Sequence, residues 1–170
     1  EVPDRNIERM LRRTHIPVPD DDDRRLDLVV PGLNVAQGRP LFCDVTIVSP
    51  ISRNGRPRPG TSNTGGMLLI NAERENNDNY WEVPASGLGA LYCLGFEVFG
   101  RWGVDPLWIV PALARERSRG APQRIRFGVC IRLQQRWWSI LAIGVQRLVA
   151  QACLRSHGAD LNTVVGEHPI

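Results

Sequence analysis

Residues 41–50, LFCDVTIVSP, are a β-branched apolar run interrupted by Asp44 and Thr46 and closed by Pro50. A run of this length and composition is expected to be a buried strand. Side chains alternate along a strand, so Asp44 and Thr46 share a face with Phe42 and Val48, while Leu41, Cys43, Val45 and Ile47 face the other way. If the all-apolar face is core, the face carrying Asp44 is covered by another element or lines a site.

Upstream, RLDLVVPG (25–32) is a shorter β-branched run stopped by Pro31 and Gly32, and it too contains an aspartate, Asp27, between Leu26 and Leu28. The two runs, joined through GLNVAQGR, are expected to form a hairpin. Downstream, residues 52–66 are rich in Gly, Pro, Ser and Asn and are expected to form a mobile loop. MLLINAERENNDNY (67–80) has a helical pattern. ALYCLGFEVFG (90–100) is continuously apolar, which suggests the central strand of a sheet. Asp105 and Pro106 have the form of an N-cap and first helical residue for a helix that Pro111 would kink or restart, with Gly120 as its stop. A long helix is expected from Pro122 to His157, capped by Gly158. Ile125, Val129, Leu133, Trp137, Leu141, Val145, Leu148 and Ala152 recur along it at spacings of three and four.

Composition limits the functions available. The chain has 170 residues, 42% of them hydrophobic, enough for one ordinary domain with a core. Its 21 basic residues are all arginine, against 18 acidic ones, for a net charge of +3. Arginine offers a planar fork to phosphates and carboxylates but cannot lose its proton near neutral pH. Cys43, Cys93, Cys130 and Cys153 are widely spaced in apolar contexts and form no zinc or redox motif, so they are expected to be buried thiols in a reducing compartment. The glycines follow no phosphate-loop pattern, and His15, His157 and His168 are too scattered to suggest a metal site. The longest apolar run, WWSILAIGV, is shorter than the roughly 20 residues of a membrane span. The expectation is an intracellular protein without a membrane partner or small-molecule cofactor. Because the chain begins at Glu1, it is read as a fragment of a longer protein.

Asp27 and Asp44 would approach a common point once their strands pair. Two such carboxylates repel and are stabilised together by a proton or a divalent cation. Mg²⁺ typically takes one or two carboxylates plus waters and phosphate oxygens. From spacing alone, the competing explanation is that Asp44 caps a strand end or pairs with an arginine such as Arg24 or Arg25. Glu97 is read either as a buried acid holding an arginine or as a site residue. Trp137 and Trp138 either pack in the core or stack on bases.

The order of RRLDLVVPG, LFCDVTIVSP, NAERENNDNY (71–80) and LGFEVFGRWG (94–103) resembles the restriction-like endonuclease region that follows the reverse transcriptase in non-LTR retrotransposons. The segment from 24 to about 155 is similar to C-terminal pieces of reverse-transcriptase-related proteins abundant in dinoflagellate genomes. The resemblance implies an α/β fold with a PD-(D/E)xK-like mixed central sheet and flanking helices, shortened at its N-terminus. On this reading residues 1–23 are irregular, with ERMLRRTHIPVP (8–19) open to a short helix or strand that Pro17 and Pro19 stop; 24–120 form the nuclease-like core, 121–158 a C-terminal helical extension and 159–170 a tail. It further implies Mg²⁺-dependent nicking of DNA, with Asp27 and Asp44 holding the metal. Thr46 stands where the family has its catalytic lysine, and a proline is replaced by Leu26. Some relatives carry the lysine on the following helix; here that helix offers Glu73, Arg74, Glu75 and Asn76. Glu8 is the available stand-in for the acid on the family's first helix. Arg74, Arg132 and Arg136 are the expected phosphate contacts, DNA the expected partner, with a reverse transcriptase domain in the same polyprotein, and the nucleus the expected location. The rival expectations are an inactive remnant with weak nucleic-acid contact and a protein-interaction module built on the long helix.

Overall fold

A computed structural model describes residues 5–12, 14–31 and 37–156. It is a mixed α/β structure with a three-stranded mixed sheet: β1 (Leu28–Val30), β2 (Leu41–Val48) and β3 (Ala90–Glu97), in the order β1-β2-β3. β1 pairs antiparallel to β2 with Leu28 opposite Cys43, as the hairpin reading requires. β2 and β3 are parallel, with Asp44 opposite Cys93 and Thr46 opposite Gly95. A parallel pair needs a crossover, and α2 (Met67–Asn79) with the single-turn α3 (Glu82–Ala85) supplies it.

The central strand is therefore β2, not β3. β3 reads as central because it is continuously apolar, with both faces covered, but its far edge is closed by a returning segment instead of a strand. The Gly103 N–H donates to Gly95 O at 2.9 Å and the Glu97 N–H to Arg101 O at 2.8 Å. The Cys93 N–H donates to the Asp105 carboxylate at 2.8 Å. Three alternate backbone groups of an exposed edge are thus satisfied without a fourth strand, and further strand pairing is blocked.

One face of the sheet is covered by α2. Leu69 lies against Gly95, where a Cβ would come within 3.1 Å of its Cδ2. The other face meets α4 (Val104–Ser118), on which Trp108 stacks on Tyr92 with centroids 5.6 Å apart. α4 is capped by Gly103, not by Asp105, because the Asp105 carboxylate is spent on β3. The helix runs through Pro111 as one element.

In the N-terminal segment, of the two options for ERMLRRTHIPVP, the short helix is what forms: α1 (Ile7–Leu11). Asn6 caps it by accepting from the Arg9 N–H at 3.0 Å. Ile7 and Leu11 enter one cluster with Leu26, Val29, Phe42 and Val83. Arg24 ties this region to the crossover: its guanidinium donates to Asp22, to Glu82 at 2.7 Å and to Asn79 O. The loop at 52–66 is a succession of turns with a bridge between Ile51 and Pro57.

α5 (Arg126–Ser156) has 31 residues, about 46 Å at 1.5 Å per residue. Cys130 and Val145 are buried. Trp138 packs edge-on to Trp102, itself edge-on to Phe96, and Gln146 Nε2 donates to Val98 O. Of the expected stripe, Val129, Leu133, Trp137, Leu141 and Val145 are at least partly covered, while Ile125, Leu148 and Ala152 stay exposed. By length and composition alone, the helix over Arg126–Arg155 is long and apolar enough to cross a membrane, an 18-residue window of it reaching a mean hydropathy of 1.2, although the apolar run WWSILAIGV alone is too short. The expected cap Gly158, His157, His168 and the tail lie outside the described residues.

Candidate functional site

The site forms where β1, β2 and α2 meet. Extending the β1–β2 register by one residue puts Asp27 opposite Asp44. Asp27 is held by a hydrogen bond from the Val45 N–H to its Oδ2 at 2.8 Å, and the backbone of Asp27 accepts from Arg5 Nη1 at 2.8 Å. Its carboxylate thus extends the strand ladder by one bond. Asp44 is half-buried, and the Thr46 hydroxyl lies 3.4 Å from its Oδ2.

Burial first, and the charge of Asp27 second, hold the Asp44 carboxyl above its ordinary range; Thr46 opposes the shift. Tyr80 is raised by burial and then by Asp44 and Asp27. The aspartates are therefore close, in a partly dry setting. No arginine pairs with the Asp44 carboxylate among the described residues; Arg24 serves Asp22 and Glu82 instead.

Asp44 and Thr46 line a cleft of about 130 Å³ whose opposite wall is α2: Ala72, Glu75, Asn76, Asn79 and Tyr80. Asn76 is 4% exposed, and neither its Oδ1 nor its Nδ2 has a hydrogen-bond partner. The sequence contained a signal for it: Leu69, Ala72, Asn76 and Tyr80 recur at spacings of three and four, so the amide occupies a position patterned for an apolar residue.

The expected phosphate contacts do not line this cleft. Arg74 is on an exposed side of α2, while Arg132 and Arg136 border a groove along α5 with Arg124. Glu8 is paired with Arg12 at 2.7 Å and also lies outside the cleft. Glu97 is buried and holds Arg101 at 3.3 Å, the structural option. Cys43, Cys93 and Cys130 are buried and Cys153 is exposed; burial pushes the Cys43 thiol up to about 12 and Cys93 to about 11, away from reactive thiolates.

Two carboxylates from adjacent strands, one half-buried, fit the donor set of Mg²⁺, which retains waters for its other positions. No cluster of three or more His, Cys, Asp or Glu side chains occurs among the described residues, so a cation here would be held by a pair. The chain is an α/β protein with a carboxylate-lined cleft; comparison with protein-family models, characterised proteins and solved structures finds no match.

Proposed function

We propose that the chain is a retroelement-derived restriction-like endonuclease domain that nicks DNA by Mg²⁺-dependent phosphodiester hydrolysis. The observation that carries this reading is the meeting of Asp27 and Asp44 from neighbouring strands, with Asp44 lining one cleft. A PD-(D/E)xK-like arrangement is the finer architecture proposed for the mixed sheet and its flanking helices.

Asp27 and Asp44 would hold the cation, which when bound supplies positive charge at the scissile phosphate and lowers the pKa of its water. Val45 fixes Asp27 through its N–H, and Thr46 steadies Asp44. Neither Thr46 nor Arg74 can replace a lysine amine as a base, because a hydroxyl is too weakly basic and a guanidinium stays protonated. Loss of a positioned general base costs about 10²–10⁴-fold in rate, so the reaction is slow. Arg74, Arg132 and Arg136 contribute at the DNA backbone outside the cleft, and a reverse transcriptase domain and a nuclear location belong to the same reading. Cleavage of a labelled DNA duplex with Mg²⁺ tests it. Asp27→Asn and Asp44→Asn should each abolish product, whereas Arg74→Ala should raise KM with kcat retained.

A second reading is an inactive remnant. It is favoured by the cleft lining itself, which includes no basic side chain. Duplex binding without product at any divalent concentration would support it.

A further inference from the structure

Asn76 is the single polar member of the buried face of α2, which it shares with Leu69 and Ala72. A buried amide without partners is costly, and the Thr46, Tyr80 and Arg24 side chains are already engaged elsewhere. The Thr46 hydroxyl serves Asp44, the Tyr80 hydroxyl donates to Arg25 O at 3.2 Å, and Arg24 is occupied by Asp22, Glu82 and Asn79 O. What remains beside Asn76 is the cleft it shares with Asp44. An amide suits that place chemically: it offers an acceptor and a donor without adding another negative charge to a cleft that Asp44 and Glu75 already line.

We propose that Asn76 is an outer-shell partner of a divalent cation seated on Asp27 and Asp44, its Oδ1 accepting a hydrogen bond from a cation-bound water. The inference rests on the two-carboxylate reading of the site. Asn76 is thereby a positioning residue: it touches the hydration shell and orients it within the cleft. Outer-shell partners of this kind commonly change metal affinity by about 10–100-fold when removed.

The test is a titration of the full chain with Mn²⁺, following free Mn²⁺ by electron paramagnetic resonance. Wild type should bind and Asp44→Asn should not. Asn76→Leu should weaken binding about tenfold, and so should Asn76→Ala, included in case leucine overpacks the cleft. Asn76→Asp, which keeps an acceptor in the same place, should bind at least as tightly as wild type. Both apolar variants should match or exceed the wild-type Tm in chelator, a result that loss of fold would not give. If Asn76→Leu and Asn76→Ala bind Mn²⁺ like wild type while Asp44→Asn does not, the amide serves only a structural water and the inference fails with the carboxylate site intact. If wild type itself binds no Mn²⁺, the two-carboxylate reading fails and the role of Asn76 fails with it.

Discussion

Asp44 carries two costs in the folded chain, partial burial and the charge of Asp27, and both favour its protonated form. Because the folded state keeps this proton longer than the unfolded state, stability is highest below the ordinary carboxylate pKa of about 4 and falls as pH rises through that value toward the raised one. Asp44→Asn should remove this slope. Urea unfolding of the two proteins should coincide near pH 3.5 and diverge by pH 7, with the variant the more stable, and Mg²⁺ at pH 7 should raise the Tm of wild type only. Asn76 makes the same point with a neutral group: filling its place with leucine should remove about 1–3 kcal/mol of unmet hydrogen bonding and raise the Tm in chelator by about 4 °C. The aspartate pair was legible in the sequence because strand alternation and hairpin pairing alone bring residues 27 and 44 together. Asn76 was harder to read because its significance depends on which wall of the cleft the α2 face forms, and that is set by the parallel β2–β3 pairing, not by local pattern.

At the scale of elements, β2 is held by what flanks it. Hydrophobic continuity pointed to β3 as the centre, but periodicity reports how well the faces are covered and says nothing about the edges. The edge of β3 is closed by backbone and by Asp105, and a carboxylate that reads as a helix cap is used there instead. The start of the parallel pair depends on Gly89, where a Cβ would run into Pro40 O and the Phe42 ring. Gly89→Ala should therefore destabilise the fold by about 1–3 kcal/mol, measured by chemical denaturation. Arg24 couples the segment before β1 to the crossover, and its loss would leave Glu82, 5% exposed, without its cation. Arg24→Ala should cost about 2–3 kcal/mol, at the lower end for a broken buried pair because Arg24 itself is one-third exposed. Arg24→Ala combined with Glu82→Gln should recover part of that loss. This arginine hub was not visible in periodicity, since it depends on contacts between distant residues.

Across the whole molecule, the cleft and α5 are physically separate: the helix packs through Trp138 and Val145 near the end of β3, and none of its residues lines the cleft. Trp138→Ala should loosen that packing, costing about 2 kcal/mol for a partly buried aromatic, while leaving Mn²⁺ affinity at the aspartates unchanged. The fold thus pairs Asp27 with Asp44, sets an unpartnered amide in the cleft that Asp44 lines, and supplies no lysine, arginine or histidine there. The most direct test is nicking of supercoiled plasmid by the purified chain in Mg²⁺ or Mn²⁺, with Asp44→Ala prepared in parallel and both shown by circular dichroism to be folded. The two-carboxylate account predicts slow, divalent-dependent conversion to open circles that disappears in Asp44→Ala; equal conversion by both proteins, or none by either, would contradict it.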